Sequence, residues 1–216
     1  MKLVWSPEAA SKAYIDTVQS CPESGVAELV SAMAAGWKAQ LIVETWSEGG
    51  PIATSRGLGI ARGHTSGRHV CVVPDERSKV EYCDRMGEAG VCTEVMVGEA
   101  EEVMEGLVGI DFMVVDCKGR EFSKILRVAK LSSMGAVLVC KNANSRNVTG
   151  FKWRSVVDGG SSRRRLVHSV FLPVGKGLDI AHVSAVGGGD SVSGIKGKRW
   201  IKHVDRQSGD VHVIRR

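Results

Sequence analysis

No apolar run in the sequence reaches the roughly 18 residues that a membrane-spanning helix needs, so no span is expected. The first residues do not read as a secretory leader either, because Ser6-Pro7-Glu8 interrupts the apolar positions and no long hydrophobic region follows. They lack arginine and carry acids, which argues against an organelle transit peptide. Cytoplasm is the expected compartment, with the nucleus as second choice. None of the six cysteines stands in a C-x-x-C pair, and Cys71 and Cys140 sit inside apolar runs. Buried free thiols in a reducing compartment are therefore expected ahead of zinc or disulfides. His64, His69, His168 and His182 show no metal-like spacing and no Ser-His-Asp order, which leaves a hydrolase without support. No internal repeat is visible.

What is present suits one well-packed α/β domain: 216 residues, 43% hydrophobic and 25% charged. The net charge of +5 is unevenly spread. Residues 1–143 hold 15 Lys/Arg against 19 Asp/Glu, a net of −4, and residues 144–216 hold 14 against 5, a net of +9. Such a basic block attracts phosphate-bearing or nucleic-acid partners, or forms a solvated face. Arg163-Arg164-Arg165 and "KGKRWIKH", with its Trp200, carry that reading, although no named nucleic-acid motif accompanies them.

Ser6-Pro7-Glu8 predicts a helix start, and the helix should run to about Val18. Val26, Leu29, Val30 and Met33 are spaced for the buried face of a second helix, which Gly36 is placed to end. Strands and helices then alternate. "AQLIVET", "RHVCVVP", "VCTEVMVG", "IDFMVVDC" and "AVLVCKN" read as strands, several of them continuous apolar runs suited to a parallel sheet covered on both faces. The intervening helices are "ATSRGLGIARGHT", weakened by Gly57 and Gly59, then "DERSKVEYCDRMGEAG", "EAEEVMEGLV" and "REFSKILRVAKLSSMG". After Asn142, "ANSRNVTGFKWRSVVDGGSSRRR" reads as exposed loop. "RLVHSVFLPV" and "GLDIAHVSAV" form a hairpin about Gly175-Lys176-Gly177. The fold class is therefore α/β, a doubly wound, mostly parallel Rossmann-like sheet with an antiparallel C-terminal hairpin. Residues 1–186 form the domain, with two N-terminal helices in 1–36. Residues 187–216 form a Gly-rich link and basic tail, in which "RWIKHVD" and "DVHVIRR" can make a small hairpin.

Several stretches carry a resemblance. "ESGVAELVSAMAAG", "DFMVVDCKGREF", "AVLVCKNA" and "FLPVGKGLDIA" resemble, over roughly residues 23–183, the class I S-adenosylmethionine-dependent methyltransferases, in particular those acting on catechols and caffeoyl-CoA. "LVWSPEAASKAYIDTV", "LIVETWSEGG", "VCVVPDERSK" and "RWIKHVDRQSG" resemble a plant family of unknown function grouped with methyltransferases by fold. The resemblance implies S-adenosylmethionine as cofactor and an acceptor it does not identify, either a small molecule or one bearing phosphate. A catalytically silent Rossmann-like module that binds its partner through the basic C-terminal third is the alternative. Oligomeric state is left open.

By the same resemblance, Glu44 matches the acid after strand one, and Gly50 the second of two close-approach glycines. Trp46 replaces the first, and its indole would either block the site or swing aside to stack on adenine. The ribose acid expected after strand two is replaced by Pro74. Asp75 follows it and serves either the ribose or the helix N-terminus. Glu99 lies near an adenine edge or favours a helix end. Asp116 and Asn142 match two positions that hold a divalent cation in catechol-type relatives, but Lys141 replaces the strand-five acid and Lys118 stands two residues after Asp116. A hard cation wants several oxygens, so no metal is expected. Lys118 or Lys141 could instead pair with Asp116, orient an anionic ligand, or act as a base if burial lowers its pKa.

Overall fold

The computed structural model describes residues 5–22, 25–88, 90, 93–119, 121–144, 150–157 and 164–185, and the backbone of 200–204 and 211–215. Pro7 opens α1 (Pro7–Ser20), whose N-terminal Ser6 hydroxyl accepts from the Ala9 N–H. After α2 (Ala27–Gly36) the chain alternates: β1 (Leu41–Thr45), α3 (Ala53–Thr65), β2 (Arg68–Val73), α4 (Glu76–Gly87), β3 (Glu94–Val97) and α5 (Ala100–Gly106). A short β4 (Val108–Ile110) precedes β5 (Phe112–Asp116), α6 (Phe122–Val128), a short β6 (Lys130–Leu131) and β7 (Ala136–Lys141). The chain continues through α7 (Trp153–Val157), β8 (Leu166–Leu172) and β9 (Leu178–Val183). The backbones of β10 (Trp200–Val204) and β11 (Val211–Arg215) pair antiparallel.

Seven strands form one sheet in the order β3-β2-β1-β5-β7-β9-β8. The first five run parallel, and β9 and β8 add on antiparallel. Chain order reverses between β1 and β5, and in open α/β sheets that reversal opens a crevice at the carboxyl ends of the strands. Alternate side chains fill the two faces. Ile42, Phe112, Val114 and Val139 pack under α1, α2 and α3, while Val43, Met113, Val115 and Leu138 meet α5, α6 and α7 from the other side.

Three local expectations need correction. The helix read as continuing through "AKLSSMG" stops at Val128, because Lys130 and Leu131 pair with β4 in a small parallel sheet. The stretch read as exposed loop contains α7, whose Trp153, Val156 and Val157 are buried. Cys83 is exposed, whereas Cys21, Cys71, Cys117 and Cys140 are buried free thiols. Cys92, Arg163 and the Gly-rich link at 187–199 lie outside the described residues.

Gly57, a weak point for helix propensity, is required by packing: a Cβ there would come within 2.7 Å of the Ala27 carbonyl oxygen on α2. Gly57→Ala, which in an exposed helix would stabilise, is expected to destabilise here by about 1–3 kcal/mol in urea unfolding. An unchanged midpoint would show that α2 and α3 separate at no cost.

Candidate active site

The carboxyl ends of β1, β2, β3, β5 and β7 enclose a cleft of about 480 Å³. Its walls include the loop from Trp46 to Pro51, Pro74 after β2, Gly98 and Glu99 after β3, and Asp116, Phe122 and Lys141. The volume lies within the range of small-molecule sites, about 300–1,000 Å³. Among the expected site residues, the cleft brings together Trp46, Gly50, Glu99, Asp116, Lys118 and Lys141.

Glu44 is not among them. It is fully buried, and its oxygens accept from the hydroxyls of Ser55 (2.9 Å) and Tyr82 (2.8 Å), with His69 Nε2 at 3.1 Å. Strand alternation sets Glu44 on the face of Ile42, beneath α3, so its carboxylate knits α3, β2 and α4 together. Burial pushes this carboxyl up. The hydrogen bond and charge of His69, the charge of Lys141 and the Tyr82 hydroxyl outweigh that and hold it below its usual range. His69, at the start of β2, belongs to this network. Burial and the Glu44 charge push the Tyr82 phenol well above its ordinary value.

Asp75 also stands apart from the cleft. It caps α4, its Oδ1 accepting from the Ser78 N–H at 2.7 Å, and that backbone bond lowers its pKa.

Trp46 neither blocks the cleft nor reaches across it. Its indole is only 4% exposed, packed edge-on to Tyr82 with ring centroids 5.4 Å apart, in a cluster with Ile52, Cys71, Val73 and Met86. Gly50 permits this: a Cβ there would lie 2.9 Å from the indole nitrogen and 2.9 Å from the Ser47 carbonyl oxygen. The glycine expected to admit a cofactor thus admits the tryptophan, whose buried Nε1 has no hydrogen-bond partner among the described residues. Gly49, with φ of 71°, completes the turn.

At the β5–β7 end, Asn142 Nδ2 donates to both Asp116 oxygens at 2.8 Å, and the Lys118 backbone N–H donates to Oδ1 at 2.9 Å. Asn142 adopts a left-handed φ of 59°, which asparagine tolerates better than most residues. The expected Asp116–Lys141 pair does not form. Lys141 is 5% exposed and lines the cleft, and no ion pair or hydrogen bond meets its ammonium among the described residues. Glu99 makes no capping bond to α5 and faces the cleft.

Sequence reading missed Glu48, which pairs with Arg77 at 2.7 Å, and the part that Phe122 and Ile125 take in lining the cleft. Of the arginine run, Arg164 is committed to structure, donating to the carbonyls of Leu131 and Ser132.

The strand order and the position of the cleft define a class I methyltransferase-like Rossmann fold. Solved structures agree. A methyltransferase from Geobacter sulfurreducens aligns with a TM-score of 0.58 at 19% identity, covering 82% of this chain and 90% of its own. TomG, an O-methyltransferase of tomaymycin synthesis from Streptomyces achromogenes solved with SAM, gives 0.56 at 25% identity, covering 85% and 92%. An SAH-bound methyltransferase from Podospora anserina gives 0.56 at 14% identity, covering 84% and 89%. No curated protein matches the chain by sequence. The chain belongs to the family described as protein of unknown function (DUF1442), whose model matches residues 1–216.

Proposed function

We propose that the chain is an S-adenosylmethionine-dependent methyltransferase that works without a metal ion. The observation that carries this reading is the open cleft of about 480 Å³ at the strand-order reversal, with Trp46 packed into its wall instead of filling it. Its size and position fit the cofactor. Glu99 is the carboxylate available to ribose hydroxyls or the adenine edge, and the Trp46–Gly50 loop supplies the wall near β1. S-adenosylmethionine, when bound, supplies an electrophilic methyl group on a sulfonium centre. The protein's own contribution is then positioning in surroundings made partly dry by Val72, Val73, Phe122 and Ile125. Asp116, held by Asn142, keeps a fixed carboxylate at the acceptor end of the cleft.

The donor set supports metal independence. Asp116 is engaged by Asn142 and the Lys118 N–H, and the neighbouring strand presents the ammonium of Lys141 where a cation would need another oxygen.

Calorimetry with S-adenosylhomocysteine tests the reading. Binding is expected, weakened about tenfold by Glu99→Ala, the size of one charge-assisted hydrogen bond. Asp75→Ala should leave affinity unchanged while loosening α4. Folded protein that takes up no S-adenosylhomocysteine would sink the proposal.

A further inference from the structure

Lys141 is the last residue of β7 and one of the few charged side chains in the core. A buried ammonium is costly unless something compensates it, and natural interiors nearly always pair one. Among the described residues the compensation is incomplete. Glu44 lies within its electrostatic field but outside salt-bridge distance, and is already engaged by Ser55, His69 and Tyr82. Asp116, its register neighbour on β5, is engaged by Asn142. Among the described residues the ammonium has no hydrogen-bond or ion-pair partner, and it meets the cleft.

We propose that Lys141 is the receptor for a carboxylate on the methyl acceptor, so that the substrate class is an apolar, ring-bearing or alkyl acid. This rests on the methyltransferase reading above. Lys141 is the buried ammonium of the cleft and Lys118 is exposed at its edge, the Asn142 amide is committed to Asp116, and the Asp116 carboxylate repels further negative charge, which favours a monoanion over a phosphate dianion. Phe122 and Ile125 line the same cleft and offer apolar surface to the body of the acid. Strand order separates this subsite from the cofactor end. Lys141 lies on β7, four strand steps from Glu99 beyond β3, or about 19 Å at 4.8 Å per step. Glu99 would hold only the ribose or adenine end of the cofactor, so the Lys141 variants below decide whether the carboxylate this lysine meets is the acceptor's, as proposed, or the cofactor's own.

The test is calorimetry on the full chain, with and without saturating S-adenosylhomocysteine. The probes are para-hydroxybenzoate, cinnamate and phenylacetate, each against its own methyl ester. At least one acid should bind about tenfold tighter than its ester, the effect of one charge-assisted hydrogen bond. Lys141→Met should erase that preference and Lys141→Arg should retain part of it, with S-adenosylhomocysteine affinity within about twofold of wild type in both, as the assignment of Lys141 to the acceptor requires. No acid preferred over its ester by the wild-type protein would overturn the proposal, and this comparison needs no variant to fold. It would equally be overturned if Lys141→Met kept the preference, or if that variant lost S-adenosylhomocysteine affinity instead, which would assign the lysine to the cofactor. Failure of S-adenosylhomocysteine to bind wild-type protein counts against the methyltransferase reading alone, because the acid–ester comparison without it still decides the carboxylate site.

Discussion

Glu44→Ala is expected to destabilise the protein by about 3–5 kcal/mol, the cost of removing one partner from a buried charged network. Three groups would lose their acceptor at once: the Ser55 hydroxyl, the Tyr82 hydroxyl and His69, all inside the protein. Urea unfolding followed by circular dichroism measures the loss. Glu44→Gln, which keeps the shape and one acceptor oxygen, should lose less. The pH dependence has a definite sign. The folded-state pKa of Glu44 lies below its ordinary value, so the unfolded chain takes up the proton first as pH falls. The stabilisation is full above the ordinary carboxylate range and is lost as pH drops through the depressed folded value. The stability gap between wild type and Glu44→Gln should thus be constant near neutrality and narrow in acid. A gap that widens in acid would mean that Glu44 folds protonated.

Trp46→Ala is the second large effect, expected at about 3–5 kcal/mol from the lost burial and the cavity left behind. The indole holds Tyr82, Ile52 and Met86 together on one side and the Gly50 turn on the other. Without it the loop from Trp46 to Pro51 loses its anchor. At a temperature where both proteins are folded, S-adenosylhomocysteine should bind the variant at least about tenfold more weakly, because a loosened wall must be ordered on binding. Tighter binding by Trp46→Ala would show that the indole obstructs the cofactor, and would overturn its role as an anchor.

The sheet was legible because its central strands are continuous apolar runs between turn residues, a pattern that few other architectures produce. Legibility failed where tertiary partners override local preference. Lys130 and Leu131 continue a helical pattern, yet β4 offers them a strand partner. Trp153, Val156 and Val157 have helical spacing but lie within a polar stretch. Gly57 weakens a helix in isolation and is required once α2 lies against it.

The candidate site divides in the same way. Asp116, Glu99 and Lys141 could be placed because they end or follow strands, and the five parallel strands all end toward the cleft. The role of Glu44 was hidden because its partners lie 11, 25 and 38 residues away. One signal was available: in a strand Glu44 shares a face with Ile42, and that face is covered by a helix. Gly50 was located correctly by pattern, but the pattern could not say which group it makes room for.

The seating of Trp46 also gives the cleft an intrinsic optical probe. An indole packed among apolar neighbours with its N–H unpaired emits at shorter wavelength than one in water, and this one forms part of the wall a ligand would touch. The chain has five tryptophans, so the difference spectrum between wild type and Trp46→Phe isolates its signal. Occupancy of the cleft can then be followed by light, before any acceptor is known.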